Sequence, residues 1–326
     1  MVMRPNIVES FPLTTKEIWR RYTRIPTDAS DIFYHYTTRA GLEGILRSGG
    51  LRAKDRIRMN DPGEFDYARN LIYEALDELG GRHDLPEVAQ SLTTYTRKNL
   101  DRFLIDTAEM SRAFCACLTV SPDDSKQWAA YAEEGRGFAI GFNLSQLLCT
   151  QVSNVPSGQP YLLCVPVTYS RNDQRDLVWR SLEAGICDLR TFAETCSQEP
   201  AHLTALRDRV TQEIVVQLIT LIDFVKAPCY SSEREMRLVQ DPNDGTLKAR
   251  NIQHYRHADE SIPFIFMDLR NRVTKRLSLA EIKVGPKATF SKEKGFLEGL
   301  LNELGYGSNY RDRPLIIPSQ AGQTDL

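Results

Sequence analysis

A surplus of either charge is the first thing this sequence lacks: 41 Lys and Arg stand against 43 Asp and Glu over 326 residues, a formal net charge of -2. That excludes a global field for drawing in nucleic acid or an anionic membrane and leaves only a local basic groove. Long hydrophobic runs are also missing. The most apolar stretch, IVVQLITLIDFV from Ile214 to Val225, is too short to span a bilayer and carries Gln217 and Asp223, so it reads as a core helix. Seven cysteines, an odd number at irregular positions, exclude a disulfide framework and read as reduced thiols of a cytoplasmic protein. Cys115 and Cys117 share a strand face, yet no second pair of ligands follows at a zinc-like spacing, so no metal is expected. The Gly-Arg-Gly at 135–137 lacks the spacing and the lysine of a phosphate loop. The first residues hold charge without an apolar stretch, so no secretory signal is expected. No internal repeat, low-complexity linker or break in composition divides the chain.

What is there is a series of short units. DIFYHYT at 31–37 alternates as a strand does, with Phe33, His35 and Thr37 on one face and Ile32, Tyr34 and Tyr36 on the other. A helix follows at once, with Leu42, Ile45 and Leu46 as its apolar stripe, Thr37 or Thr38 as its cap and Gly49 or Gly50 as its left-handed stop. RMNDPGEFDYARNLIYEAL reads as a turn entering a second helix. Further on, the pattern predicts a strand at 113–119, a helix at 125–134 and strands at 137–142 and 161–168. A mostly helical region up to about 225 comes next, then a strand carrying SEREMRLVQ, strands near 262–268 and 280–285, and a helix near 291–304. The last twenty residues are expected to fray. Strands come in runs that do not alternate with helices, which makes the class α+β. The domain spans 31–305 with a helical insertion at about 170–225, between a helical lead-in at 1–30 and a tail at 306–326.

Four groups of residues carry candidate chemistry, each with a plain structural alternative. In SEREMRLV the strand period places Glu233, Glu235, Arg237 and Val239 on one face, the two carboxylates roughly 7 Å apart. Such a pair stabilises an oxocarbenium-like transition state, and equally well pairs with Lys or Arg of a neighbouring strand. His35 is either a hydrogen-bonded core imidazole or a ligand contact at a strand end. Trp128, Tyr131 and Ala132, at i, i+3 and i+4, are either a core stripe or a stacking platform for a flat heterocycle. Asn60, Asp61 and Glu64 of NDPGEF either form an Asx turn and cap a helix or contact a ligand.

Six blocks in order, FYHYTTRAGLEGIL, NDPGEF, FCACLT, QWAAYAEEGRGFAIGF, YSSEREMRLV and IKVGP, resemble a bacterial domain-of-unknown-function family, number 2971, over about residues 32–287. That family is similar in turn to distant ADP-ribosyltransferases, enzymes that consume NAD. The resemblance implies an ADP-ribosyltransferase-like split, mostly antiparallel β-sandwich with flanking helices, its cleft binding NAD as a substrate. It places His35, with Tyr36 and Thr37 beside it, on the ribose side of NAD, and Thr119 as the nearest hydroxyl on the following strand. Tyr131, with Trp128, would stack on nicotinamide, and Asn60, Asp61 and Glu64 would be further contacts. Glu235 would be the catalytic glutamate of a Glu-x-Glu motif, with Glu233 orienting the incoming nucleophile. A histidine in the first motif and Glu-x-Glu in the last combine two branches, so the acceptor class, protein, DNA or RNA, stays open. So do three activities: transfer to a macromolecule by a toxin or antiphage effector with an antitoxin or other partner protein, hydrolysis of NAD by water, and nucleotide or nucleic-acid binding without turnover. No membrane partner is implied.

Overall fold

The computed structural model of the chain describes residues 32–56, 63–82, 93–100, 102, 114–143, 162–195, 200–240, 252–257, 260–271, 273–307 and 313–321. It opens as the sequence predicts. β1 (Ile32–Thr37) gives way to α1 (Arg39–Ser48), which Thr38 caps by accepting the Gly41 N–H at 3.0 Å, and which ends at Gly49 with φ 76°. Leu42 and Leu46 are the helix residues buried under the sheet. β2 (Gly50–Asp55) then leaves immediately, a strand the sequence analysis did not predict. Its charge masks a two-residue period in which Leu51, Ala53 and Asp55 are buried.

After α2 (Gly63–Gly80) come β3 (Phe114–Thr119), α3 (Ser125–Tyr131) and β4 (Phe138–Asn143). β5 (Leu162–Pro166) leads into the long helices α4 (Arg171–Thr195) and α5 (Pro200–Leu221). The remainder is β6 (Glu235–Gln240), β7 (Gln253–His257), β8 (Glu260–Asp268), β9 (Leu279–Val284), α6 (Phe290–Glu303) and β10 (Leu315–Pro318). β10 corrects the expectation of a fraying tail: Leu315 to Pro318 pair in parallel with Glu281 to Val284 of β9 and form the sheet edge. Here four successive backbone pairings outweigh a polar composition.

The architecture is mixed α/β, with ten described strands in one open, mostly antiparallel sheet. Its main path runs β10-β9-β4-β1-β3-β2-β8-β7, with β6 joined to β3 and β5. β3 is the branch point. β6 occupies one edge of β3 from Phe114 to Thr119, so β1 and β2 must share the other edge. In backbone pairing β1 meets it at Thr119, through Tyr34, and β2 at Phe114 and Cys115. Between those contacts β1 and β2 splay apart over Ala116, Cys117 and Leu118.

Two main cores hold this arrangement. One lies against the sheet, where Phe33, Phe114, Phe138, Ile140 and Phe142 meet Leu42 of α1 and Leu297 and Leu301 of α6. Truncating a wholly buried leucine such as Leu42 costs about 2–5 kcal/mol. The other is helical: Leu71 and Ile72 of α2 pack with Leu182 of α4 and Ile214 and Leu218 of α5. The helical insertion therefore has a core of its own, completed by α2. Among the described residues no helix is long and apolar enough to cross a membrane.

Candidate active site

Where the sheet splits, it encloses a cleft of about 620 Å³. Its lining draws on β1 (His35, Tyr36), β2 (Arg52, Lys54), β3 (Cys115 to Thr119), α3 (Gln127, Tyr131), α2 (Glu64) and the segment around β6 (Lys226, Tyr230, Glu233, Glu235). Of the residues singled out in the sequence, His35, Tyr36, Thr119, Tyr131, Glu64, Glu233 and Glu235 converge here. Asn60 and Asp61 lie outside the described residues.

One wall is a buried ionic network. Glu235 begins β6, where Arg237 Nε donates to it at 2.8 Å and Lys226 Nζ at 3.3 Å, while its backbone N–H donates to the Tyr169 hydroxyl at 3.0 Å. Lys226 Nζ also lies 2.6 Å from Glu233 and 3.5 Å from Glu64, and Arg237 Nη2 lies 2.5 Å from Glu64. Three carboxylates thus surround two cations, and Arg237 is almost wholly buried. Burial raises the Glu235 carboxyl, but Arg237, Lys226 and the Cys117 thiol outweigh it and hold the group below the usual glutamate range. Glu64 shares both cations yet is pushed up, because burial dominates there.

Glu233 corrects the strand reading. It ends a short 3-10 turn, Pro228–Glu233, and Arg234 turns the chain through φ 45° before β6 starts. The two glutamates are therefore out of strand register, and what brings them together is Lys226. Sequence analysis passed over this lysine, whose one signal is its place directly after the apolar run ending at Val225. Its carbonyl accepts from the buried Gln174 of α4 at 2.7 Å, and the Tyr67 hydroxyl of α2 donates to the same glutamine at 2.7 Å. The helical layer thereby delivers both Glu64 and Lys226 to the sheet.

The opposite wall carries His35, half-buried on β1. Its Nδ1 lies 3.0 Å from the Cys117 carbonyl, a partner that can only accept, so Nδ1 bears the proton. Burial lowers the imidazole below its ordinary range, more than this hydrogen bond restores, so the ring is neutral where it lines the cleft.

Three expected contacts have other work. Trp128 is 1 % exposed, packs edge-on against Tyr36 at 4.8 Å and donates its indole N–H to Asp123 at 2.6 Å. It is a core residue, not a stacking platform. The predicted stripe divides because α3 ends at Tyr131, which is 38 % exposed at the cleft. The Thr119 hydroxyl donates to the Glu233 carbonyl at 2.7 Å and accepts the Ser121 N–H at 3.1 Å, so it positions the glutamate turn. Tyr36 likewise donates its hydroxyl to the Ser121 carbonyl at 3.1 Å. Thr37 is buried and does not line the cleft. Among the described residues no group of three His, Cys, Asp or Glu side chains is placed to hold a metal ion.

A family model described as "Protein of unknown function (DUF2971)" matches residues 127–238. The span takes in Tyr131, Lys226, Glu233, Glu235 and Arg237 and stops short of His35 and Glu64, so it supports the resemblance to that family for one wall of the cleft. No curated protein and no solved structure matches the chain.

Proposed function

We propose that the chain is an NAD-dependent ADP-ribosyltransferase acting on a macromolecule. The observation that carries the reading is the split at β3, which brings a neutral histidine on one side and a buried, negatively held glutamate on the other to a single cleft. Cleaving the bond between nicotinamide and ribose sends its electron pair out with the nicotinamide and leaves positive charge on the ribose carbon and ring oxygen. Glu235, fixed by two cations and a backbone contact, opposes that charge without having to reorganise. His35 Nε2 holds a ribose hydroxyl, Tyr131 stacks on the departing ring, and Glu233, at the more open rim, orients the nucleophile. Ionisable groups shifted by both burial and specific partners, gathered in a cleft, are a pattern that favours a functional site over a plain surface pair. The split sheet supports the likeness to the ADP-ribosyltransferase fold.

One observation favours a second reading, a cleft that binds a nucleotide without turnover: both Glu235 oxygens are already engaged by Arg237 and Lys226. Incubating the purified protein with NAD labelled in the adenine half and a bacterial lysate separates the possibilities. Label retained by macromolecules and removed by either nuclease or protease supports the transferase and names its acceptor. Free ADP-ribose alone indicates hydrolysis. Intact NAD supports binding without turnover.

A further inference from the structure

Arg237 and Lys226 are each held by two or more carboxylates, and Arg52 and Lys54 of β2 line the same cleft. Arg52 and Lys54 are two residues apart and therefore share a face of the strand, opposite Phe266 and Phe264 of β8. Arg52 is exposed and forms no ion pair with any described residue, and its guanidinium carbon lies 5.2 Å from the centre of the Phe264 ring. An aromatic contact of that kind restrains the guanidinium plane without using up its hydrogen-bond donors. The cleft is therefore bipolar, with a carboxylate network against β6 and an outward-facing guanidinium on β2.

We propose that Arg52 and Lys54 form a phosphate subsite, which takes the anionic part of a ligand whose sugar lies between His35 and Glu235. The assignment rests on the reading above and names how the substrate is oriented. A planar guanidinium matches two phosphate oxygens at once, and the neighbouring ammonium, roughly 7 Å along the strand, lies within reach of a second phosphate. Two sources supply the same chemistry: the diphosphate of the dinucleotide, or a phosphodiester of a nucleic-acid acceptor.

Calorimetric titration of ADP, and separately of a single-stranded oligonucleotide, into the wild type and Arg52→Gln/Lys54→Gln tests the assignment. Adenosine serves as the uncharged control. The expected result is at least a roughly tenfold weaker Kd for ADP in the variant, since charged hydrogen bonds are removed, with adenosine unchanged and the melting temperature retained. Weakening of the oligonucleotide alone supports the subsite and assigns it to the acceptor. Equal affinity of both proteins for both phosphate probes overturns the proposal, as does failure of both probes to bind the wild type. Should the double variant not fold, Arg52→Gln at its exposed position carries the same comparison. No turnover is required, so the subsite can fail while nicotinamide release stands, and the reverse.

Discussion

The two walls of the cleft are built on opposite plans. Against β6, each charge is fixed before any ligand arrives: Glu235, Glu233 and Glu64 close around Lys226 and Arg237, and the helical layer locks Lys226 from behind. On the β1 and β2 side, His35 is neutral with one nitrogen engaged, and Arg52 is exposed against an aromatic ring. Burying four ionisable groups, Glu64, Lys226, Glu235 and Arg237, is costly, and apolar replacements of such networks are often as stable or more so. The difference teaches that the β6 wall holds its charges in fixed partners while the other wall leaves polar groups facing the cleft; on the proposed function, the first would serve a charge that develops during reaction and the second recognition.

That contrast predicts unequal responses to substitution. The largest belongs to Arg237→Met, which leaves Glu235 and Glu64 sharing one cation in a buried site. Unfolding free energy should drop by about 3–5 kcal/mol in denaturant titration. Glu235→Gln keeps a hydrogen bond but loses its charge, and about 1.5–3 kcal/mol is expected. Glu233→Gln, at the more solvated rim, should cost less than about 1 kcal/mol. Equal costs for the two glutamates would erase the distinction between buried network and rim.

His35 sharpens the comparison through pH. Its folded pKa is lowered, so on acidification the unfolded chain takes up the proton first, at about pH 6.5. The stability this histidine contributes is present above that value and is lost as pH falls through it toward the folded value. Stability measured between pH 7.5 and 5 should therefore decline less steeply in His35→Gln than in the wild type; parallel curves would place the imidazole in ordinary solvent. The smallest effects belong to Tyr131. Tyr131→Ala should weaken NAD binding several-fold while Tyr131→Phe binds as the wild type does, since the aromatic face is retained. Neither should move the melting temperature much, in contrast to Trp128→Ala in the core.

The first strand-helix unit was legible because its periodicity, cap and glycine stop all agree, and the structure follows them to Gly49. His35, Tyr131 and Glu235 were found in the sequence and meet at the cleft. Lys226 was not, because its importance comes from three carboxylates distant along the chain or across a turn, and no local pattern marks it. Arg52 and Lys54 were missed with β2 itself, whose alternating charge hides three buried positions. Trp128 and Tyr131 look alike at helical spacing, and only the end of α3 between core and cleft separates them. Glu233 seemed a strand residue because period two extends backward from Glu235, until the left-handed Arg234 breaks it.

The most direct test is the release of labelled nicotinamide from NAD by the wild type and Glu235→Gln, assayed side by side at a temperature where both are folded. The account predicts release by the wild type and a rate at least roughly a hundredfold lower in the variant. NAD should raise the melting temperature of both, since binding to the folded state does not depend on turnover. Equal release by the two proteins, or no release by the wild type, would contradict it.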